Sequence, residues 1–195
     1  MSRKTIDNVV SAAGLLVAIV LLAAGGLLVW GHYFVNSQVH NQLAAQKIFF
    51  PPKGSPAIKG PQFAAMQQYA GQQLVTGPQA ATYADHFIAV HLSEVAGGKT
   101  YSEVSAAVQA NPTDATLKAE QATLFQGTSL RGLLLNAYAF SKFGQIAGIA
   151  SYVMFAGAGI LLMLAGLGFV HARRVSAGLQ STAFEERREE IRRAA

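Results

Sequence analysis

The chain has no cysteine. That excludes a disulfide, a thioether-linked lipid anchor and any cysteine-held metal. Charge is scarce as well: Asp, Glu, Lys and Arg supply 13% of the 195 residues, where a soluble domain carries about 25%. The shortage is local. No charged residue stands between Asp7 and Lys47, and none between Lys142 and Arg173. Glycine-rich phosphate or dinucleotide fingerprints and a Gly-x-Ser-x-Gly nucleophile turn are absent. So are internal repeats and any segment with the two-residue period of a strand.

Apolar residues fill the charge-free gaps. Val9 to Val35 and Ile146 to Val170 each exceed the roughly 20 residues that cross a bilayer core. In lipid a backbone must satisfy its own hydrogen bonds, so both runs read as helices. The first is longer than the roughly 7–15 apolar residues of a signal peptide, which favours a retained span over a long signal sequence. Arg3 and Lys4 precede the first run, and Arg173 and Arg174 follow the second. Cations flanking spans stay in the cytoplasm, so both termini are expected there, in the plasma membrane. The segment between, 36–142, is too long for Lys47, Arg131 and Lys142 to steer insertion.

The expected architecture is all-α, with two transmembrane helices extended into a small exported helical cap. Its parts are a cytoplasmic tail (1–8), a first span (9–35), an extracytoplasmic domain (36–142), a second span (143–171) and a charged cytoplasmic tail (172–195). The net charge of +5 is spread over these parts, and none is basic enough to read as a nucleic-acid surface. Arginines beside the second span suit anionic lipid headgroups instead.

Within the cap, the first helix is expected to continue to Ile48, with Val35, Val39, Leu43 and Phe50 near a single helical face, until Pro51-Pro52 end it. Residues 51–61 then form a Pro/Gly/Lys/Ser connector. A short helix is expected over Gln62–Gln73. Another starts at Gly77-Pro78 and stops at Gly97-Gly98. Thr100-Tyr-Ser-Glu103 is a capping box. Asn111-Pro112 caps a helix to Gln126, Gly127 breaks it, and Thr128 or Ser129 opens the final long helix. The tail FEERREEIRR (184–193) reads as a charged helix, either solvated or bound to a partner or membrane surface.

Histidine is the remaining source of catalytic or metal chemistry. His86 and His91 share a helix with Asp85 and Glu94, but a spacing of five places them about 140° apart, unlike metal ligands at i and i+4. His32 and His40, with Trp30 and Tyr33, fall where interfacial belts form. Gly144, Gly148 and Ser151 make a small-residue face that lets another helix approach closely, and Gly14, Ala18 and Gly25 answer it on the first helix. That face serves either intramolecular packing or another subunit. Neither span holds an ionisable residue in its core, which argues against ion or proton transport by the chain alone. Phe49 and Phe50 either pack beneath the cap or form a partner site.

HNQLAAQKIFFPP (40–52), YAGQQLVTGPQAATYADHFIAVHL (69–92), AGGKTYSEV (96–104) and TLFQGTSLRGLLLNAYAFSKFGQIAGIA (123–150) resemble a family of actinobacterial two-span integral membrane proteins of unknown function. Such proteins sometimes carry a label of aromatic ring-opening dioxygenase. That chemistry needs iron held by histidines and a carboxylate, a set these histidines do not supply. The expected function is a non-enzymatic accessory or scaffold subunit of a larger respiratory or cell-envelope complex. The alternative is a membrane-anchored sensor with a ligand-recognising cap. Its partners are the lipid bilayer and a membrane protein or a second copy of itself, with no nucleic acid and no cofactor. The interface candidates are Gly144, Gly148, Ser151, Phe49 and Phe50; no catalytic or metal-binding residue is assigned.

Overall fold

In the computed structural model α1 runs over Arg3–Ala45, α2 over Gly77–Tyr83, α3 over Ala89–Val95, α4 over Tyr101–Ala110 and α5 over Ala115–Ala194. The structure describes residues 3–194, with side chains over 5–175 and at Phe184, Arg188 and Arg192. The flanking Arg3 and Lys4 side chains and the Glu185, Glu189 and Arg193 pairings lie outside the described residues. All regular elements among the described residues are helical. Segments 5–45 of α1 and 115–175 of α5 are long and apolar enough to cross a membrane, with best-window mean hydropathies of 2.7 and 2.3. Only 11% of each window is buried, which separates both from the core helix of a soluble domain.

The chain forms two units. The first comprises Met1–Trp30 and Ala147–Ala195, the second Gly31–Ile146. In the first unit α1 and α5 meet through small residues. Gly25 lies against the Phe155 ring, Gly157 against Leu21, Gly14 against Ala165 and Gly168 against the Ser11 hydroxyl. Ala18, Ala158 and Ser151 are buried there. Close backbone approach of this kind maximises dispersion contact between the two helices.

The second unit departs from the sequence reading in several places, each for a local reason. α1 ends at Ala45, not Ile48. Lys47 takes a left-handed φ of 53° and turns the chain, so Pro51-Pro52 are not what stops the helix. Residues 48–51 instead run antiparallel to 71–74 around an isolated Phe49–Gln73 bridge. Leu74 N–H donates to the Ile48 carbonyl and Phe50 N–H to the Gln72 carbonyl, both at 2.9 Å, and Gly71 N–H donates to the Pro51 carbonyl at 3.1 Å. Pro51 suits this register because only its carbonyl is needed. The Gln73 amide donates to the Ala44 carbonyl at 2.9 Å, beside the Lys47 N–H that reaches the same oxygen at 3.1 Å.

The short helix expected over Gln62–Gln73 is a 3₁₀ helix over Pro61–Tyr69. Phe63 and Met66 are both buried, and a three-residue period puts i and i+3 on one face. Thr76 caps α2 in a capping box with Gln79, with Pro78 in the first turn. The helix then widens into a π segment over Ala84–Ile88 before α3. Gly97 (φ 61°) and Gly98 (φ 86°) end α3 as expected, and Gly98 N–H returns to the Ser93 carbonyl at 2.7 Å in a Schellman closure. The Thr100–Glu103 capping box is also present.

Two further expectations fail. Asp114, not Asn111-Pro112, caps α5: its carboxylate accepts from Thr116 and Leu117 N–H at 2.8 and 3.1 Å. Gly127 does not break the helix, since α5 continues through it. A lone glycine costs about 1 kcal/mol in a helix. Here Leu92 packs directly on Gly127, where any Cβ would collide with it. The core of this unit centres on Phe50, Ile58, Met66 and Leu74, each no more than 2% exposed, with Val39 and Leu43 of α1 and Leu134 of α5 around them. A smaller cluster of Ala96, Val104 and Leu124 joins α4 to α5.

Candidate functional site

The small-residue candidates do different jobs. Gly144 is buried against Val35 and Asn36, and its carbonyl lies 2.7 Å from His32 Nδ1. A carbonyl only accepts, so Nδ1 carries the proton. Asn36 Nδ2 lies 3.3 Å from Nε2 and 3.4 Å from Nδ1 of the same ring, and so rests against the ring face. His32 therefore ties α1 to α5 within the second unit, a role that its place beside Trp30 and Tyr33 did not disclose. In the first unit Ser151 is buried and its Oγ donates to the Gly148 carbonyl at 2.7 Å. Its hydroxyl is spent on its own helix, so Ser151 contributes small size rather than polarity.

Phe49 and Phe50 separate completely. Phe50 is 2% exposed and Phe49 57%, because adjacent residues of an extended segment point to opposite faces. The Phe50 ring packs on Tyr69 and edge-on to Tyr83, both at 5.3 Å between centroids. The contact chain continues from Tyr83 to Phe87 at 4.7 Å, to His91 at 4.3 Å and to Phe63 at 5.8 Å. Burial raises the Tyr83 phenol above its ordinary pKa.

His91 donates from Nδ1 to the Phe87 carbonyl at 2.7 Å, which fixes the ring within this aromatic chain. Asp85 pairs with Arg131 of α5 at 2.8 Å. Among the described residues no three His, Asp or Glu side chains gather to hold a metal.

Two concave surfaces lie between α1 and α5 in the second unit. One, of about 440 Å³, runs along Phe34, Gln38 and Gln42 of α1, Gln46 just past its end, and Leu130, Leu133, Asn136 and Phe140 of α5. The second, of about 460 Å³, is lined by Asn36, His40, Tyr69, Thr76, Ser141 and Gln145. Gly77 sits against Ser141 beside it. The glutamines went unremarked in the sequence, although the spacing of four between Gln38 and Gln42 marks a single helix face. No family model, no curated protein and no solved structure matches the chain. The chemistry of these surfaces therefore has to be read from their own residues.

Proposed function

We propose that the chain is a non-enzymatic integral protein of the plasma membrane, acting as an accessory or scaffold subunit of a larger membrane complex. The observation that carries this reading is the first unit. Two apolar helices pack on each other through Gly, Ala and Ser, while Val9, Leu16, Ile149, Val153 and Leu167 turn outward and stay exposed. Only lipid or another membrane protein covers such a surface favourably. Both termini are cytoplasmic in this proposal and 36–142 is extracytoplasmic, on the strength of Arg173 and Arg174 beside the second span. The resemblance to actinobacterial two-span proteins belongs to the same proposal. The exposed Phe49, held beside the bridge to Gln73, is the cap residue assigned to partner contact, while Phe50 belongs to the core.

The cysteine-free chain allows a direct topology test. In intact cells, Thr113→Cys is expected to react with a membrane-impermeant maleimide and Arg192→Cys only after lysis. The reverse pattern overturns the orientation. Purification in mild detergent tests the scaffold reading: a partner should co-purify, and its recovery should fall with Phe49→Ala. A chain that always runs alone defeats it.

A further inference from the structure

We propose that the groove along Gln38, Gln42 and Gln46 holds the apolar chain of an uncharged amphiphile drawn from the adjoining lipid leaflet. The inference rests on the two-span reading. Its first support is the lining itself. Phe34, Leu133 and Phe140 are 50%, 66% and 59% exposed, and the groove between them is mostly apolar. Its polar groups are carboxamides, Gln38 and Gln42 on α1, Gln46 just past its end and Asn136 on α5. Each offers both a donor and an acceptor without charge. That combination, an apolar trough with a few neutral hydrogen-bonding groups, is what fixes the orientation of a small amphipathic ligand.

Charge supplies the second support. Lys47, Arg131 and Lys142 all adjoin the groove in sequence, yet no ionisable side chain lines it. Arg131 is turned to Asp85 at 2.8 Å, and the Lys142 ammonium lies 5.4 Å from the centre of the Tyr138 ring. An anionic headgroup inside the groove would have no cation to meet.

Position and size narrow the occupant further. The groove starts at Phe34, within the apolar run 9–35, and reaches Gln46, about 18 Å along the helix at 1.5 Å per residue. A lipid chain can thus enter from the leaflet without crossing water. The groove has a volume of about 440 Å³. An extended peptide would bring a donor and an acceptor with every residue, far more than four carboxamides satisfy. A single acyl or isoprenoid chain with a hydroxyl or ester head fits both the volume and the polar count.

The test uses the full chain in phosphatidylcholine vesicles containing a diacylglycerol with a photoactivatable acyl chain, with cross-linked peptides mapped by mass spectrometry. Residues 9–33 should label as any bilayer-embedded segment does, and the lining residues of 34–46 and 130–140 should label too. Ala137→Phe fills the groove, and Leu133→Asp places a charge at an exposed position that folding does not need. Each should reduce groove labelling at least about fivefold and leave 9–33 unchanged. A photoactivatable phosphatidylglycerol should label 9–33 but spare the groove. Labelling of 9–33 with none in the groove, or groove labelling indifferent to both substitutions, overturns the proposal. In a parallel sample treated with a bifunctional cross-linker, chain-to-chain links that both substitutions abolish assign the groove to a second copy and also overturn it. No labelling of 9–33 removes the two-span reading, and the proposal with it.

Discussion

Replacing Phe50 by alanine should unfold the second unit locally, whereas the same change at Phe49 should not. An aromatic ring buries about 150–250 Å², which at about 25 cal/mol per Å² amounts to roughly 4–6 kcal/mol of transfer free energy. Alanine keeps part of that, and partial collapse recovers more, so a loss of about 3–5 kcal/mol is expected for a site 2% exposed. Both rings that pack on Phe50, Tyr69 and Tyr83, would line the cavity. Phe49 is 57% exposed and should cost no more than about 0.5 kcal/mol. Amide hydrogen exchange in detergent reads the difference. The Phe50 and Leu74 amides, both bonded across the bridge, should exchange more than a hundredfold faster in Phe50→Ala, since each 1.4 kcal/mol is about tenfold. In Phe49→Ala they should change no more than about threefold. Equal effects at the two positions, or a larger one at Phe49, would refute the division of this pair into core and surface.

Gly77→Ala should destabilise the second unit by about 1–3 kcal/mol, because its new methyl strikes the Ser141 side chain. Adding Ser141→Gly should recover most of the loss in a thermal unfolding series. The Thr100 N–H and hydroxyl, donating at 2.7 and 2.8 Å, hold the Glu103 carboxyl below its ordinary range. Its folded value is the lower one, so the cap's contribution is full above the unfolded carboxylate value of about 4.3 and is lost as pH falls through the folded value. Exchange protection of α4 should fall over that window, and Glu103→Gln should abolish the pH dependence. Asp85→Ala should cost no more than about 1 kcal/mol in the same unfolding series, because the pair it breaks with Arg131 is 40–45% exposed.

The apolar runs, the Thr100–Glu103 box, the Gly77-Pro78 start and the Gly97-Gly98 stop were legible because each is a local signal whose chemistry acts within a few residues. Val39 and Leu43 were legible as a buried face for the same reason. What stayed hidden depended on partners distant in sequence. Gly127 reads as a breaker until Leu92 is seen lying on it. Pro51-Pro52 read as a helix stop until residues 71–74 are seen paired with 48–51. Phe63 and Met66 carried a three-residue period that fits a 3₁₀ helix better than the α-helix expected there. Of the candidate site, the residue types were visible and the juxtapositions were not: nothing within a single helix reveals that His32 bonds the carbonyl of Gly144.

The π segment at Ala84–Ile88 has a consequence for chain length. A wide turn of this kind holds one more residue than an α-turn would, so it acts as a phase shifter between two helical stretches whose inward faces differ. Deleting one residue between 84 and 88 has two possible outcomes. A turn that tightens to α geometry keeps the later residues on their faces, whereas a turn that stays wide rotates everything after it by about 100° and brings Leu92 to the place where His91 now meets Phe63. At this point the protein encodes the order of its aromatic rings by counting.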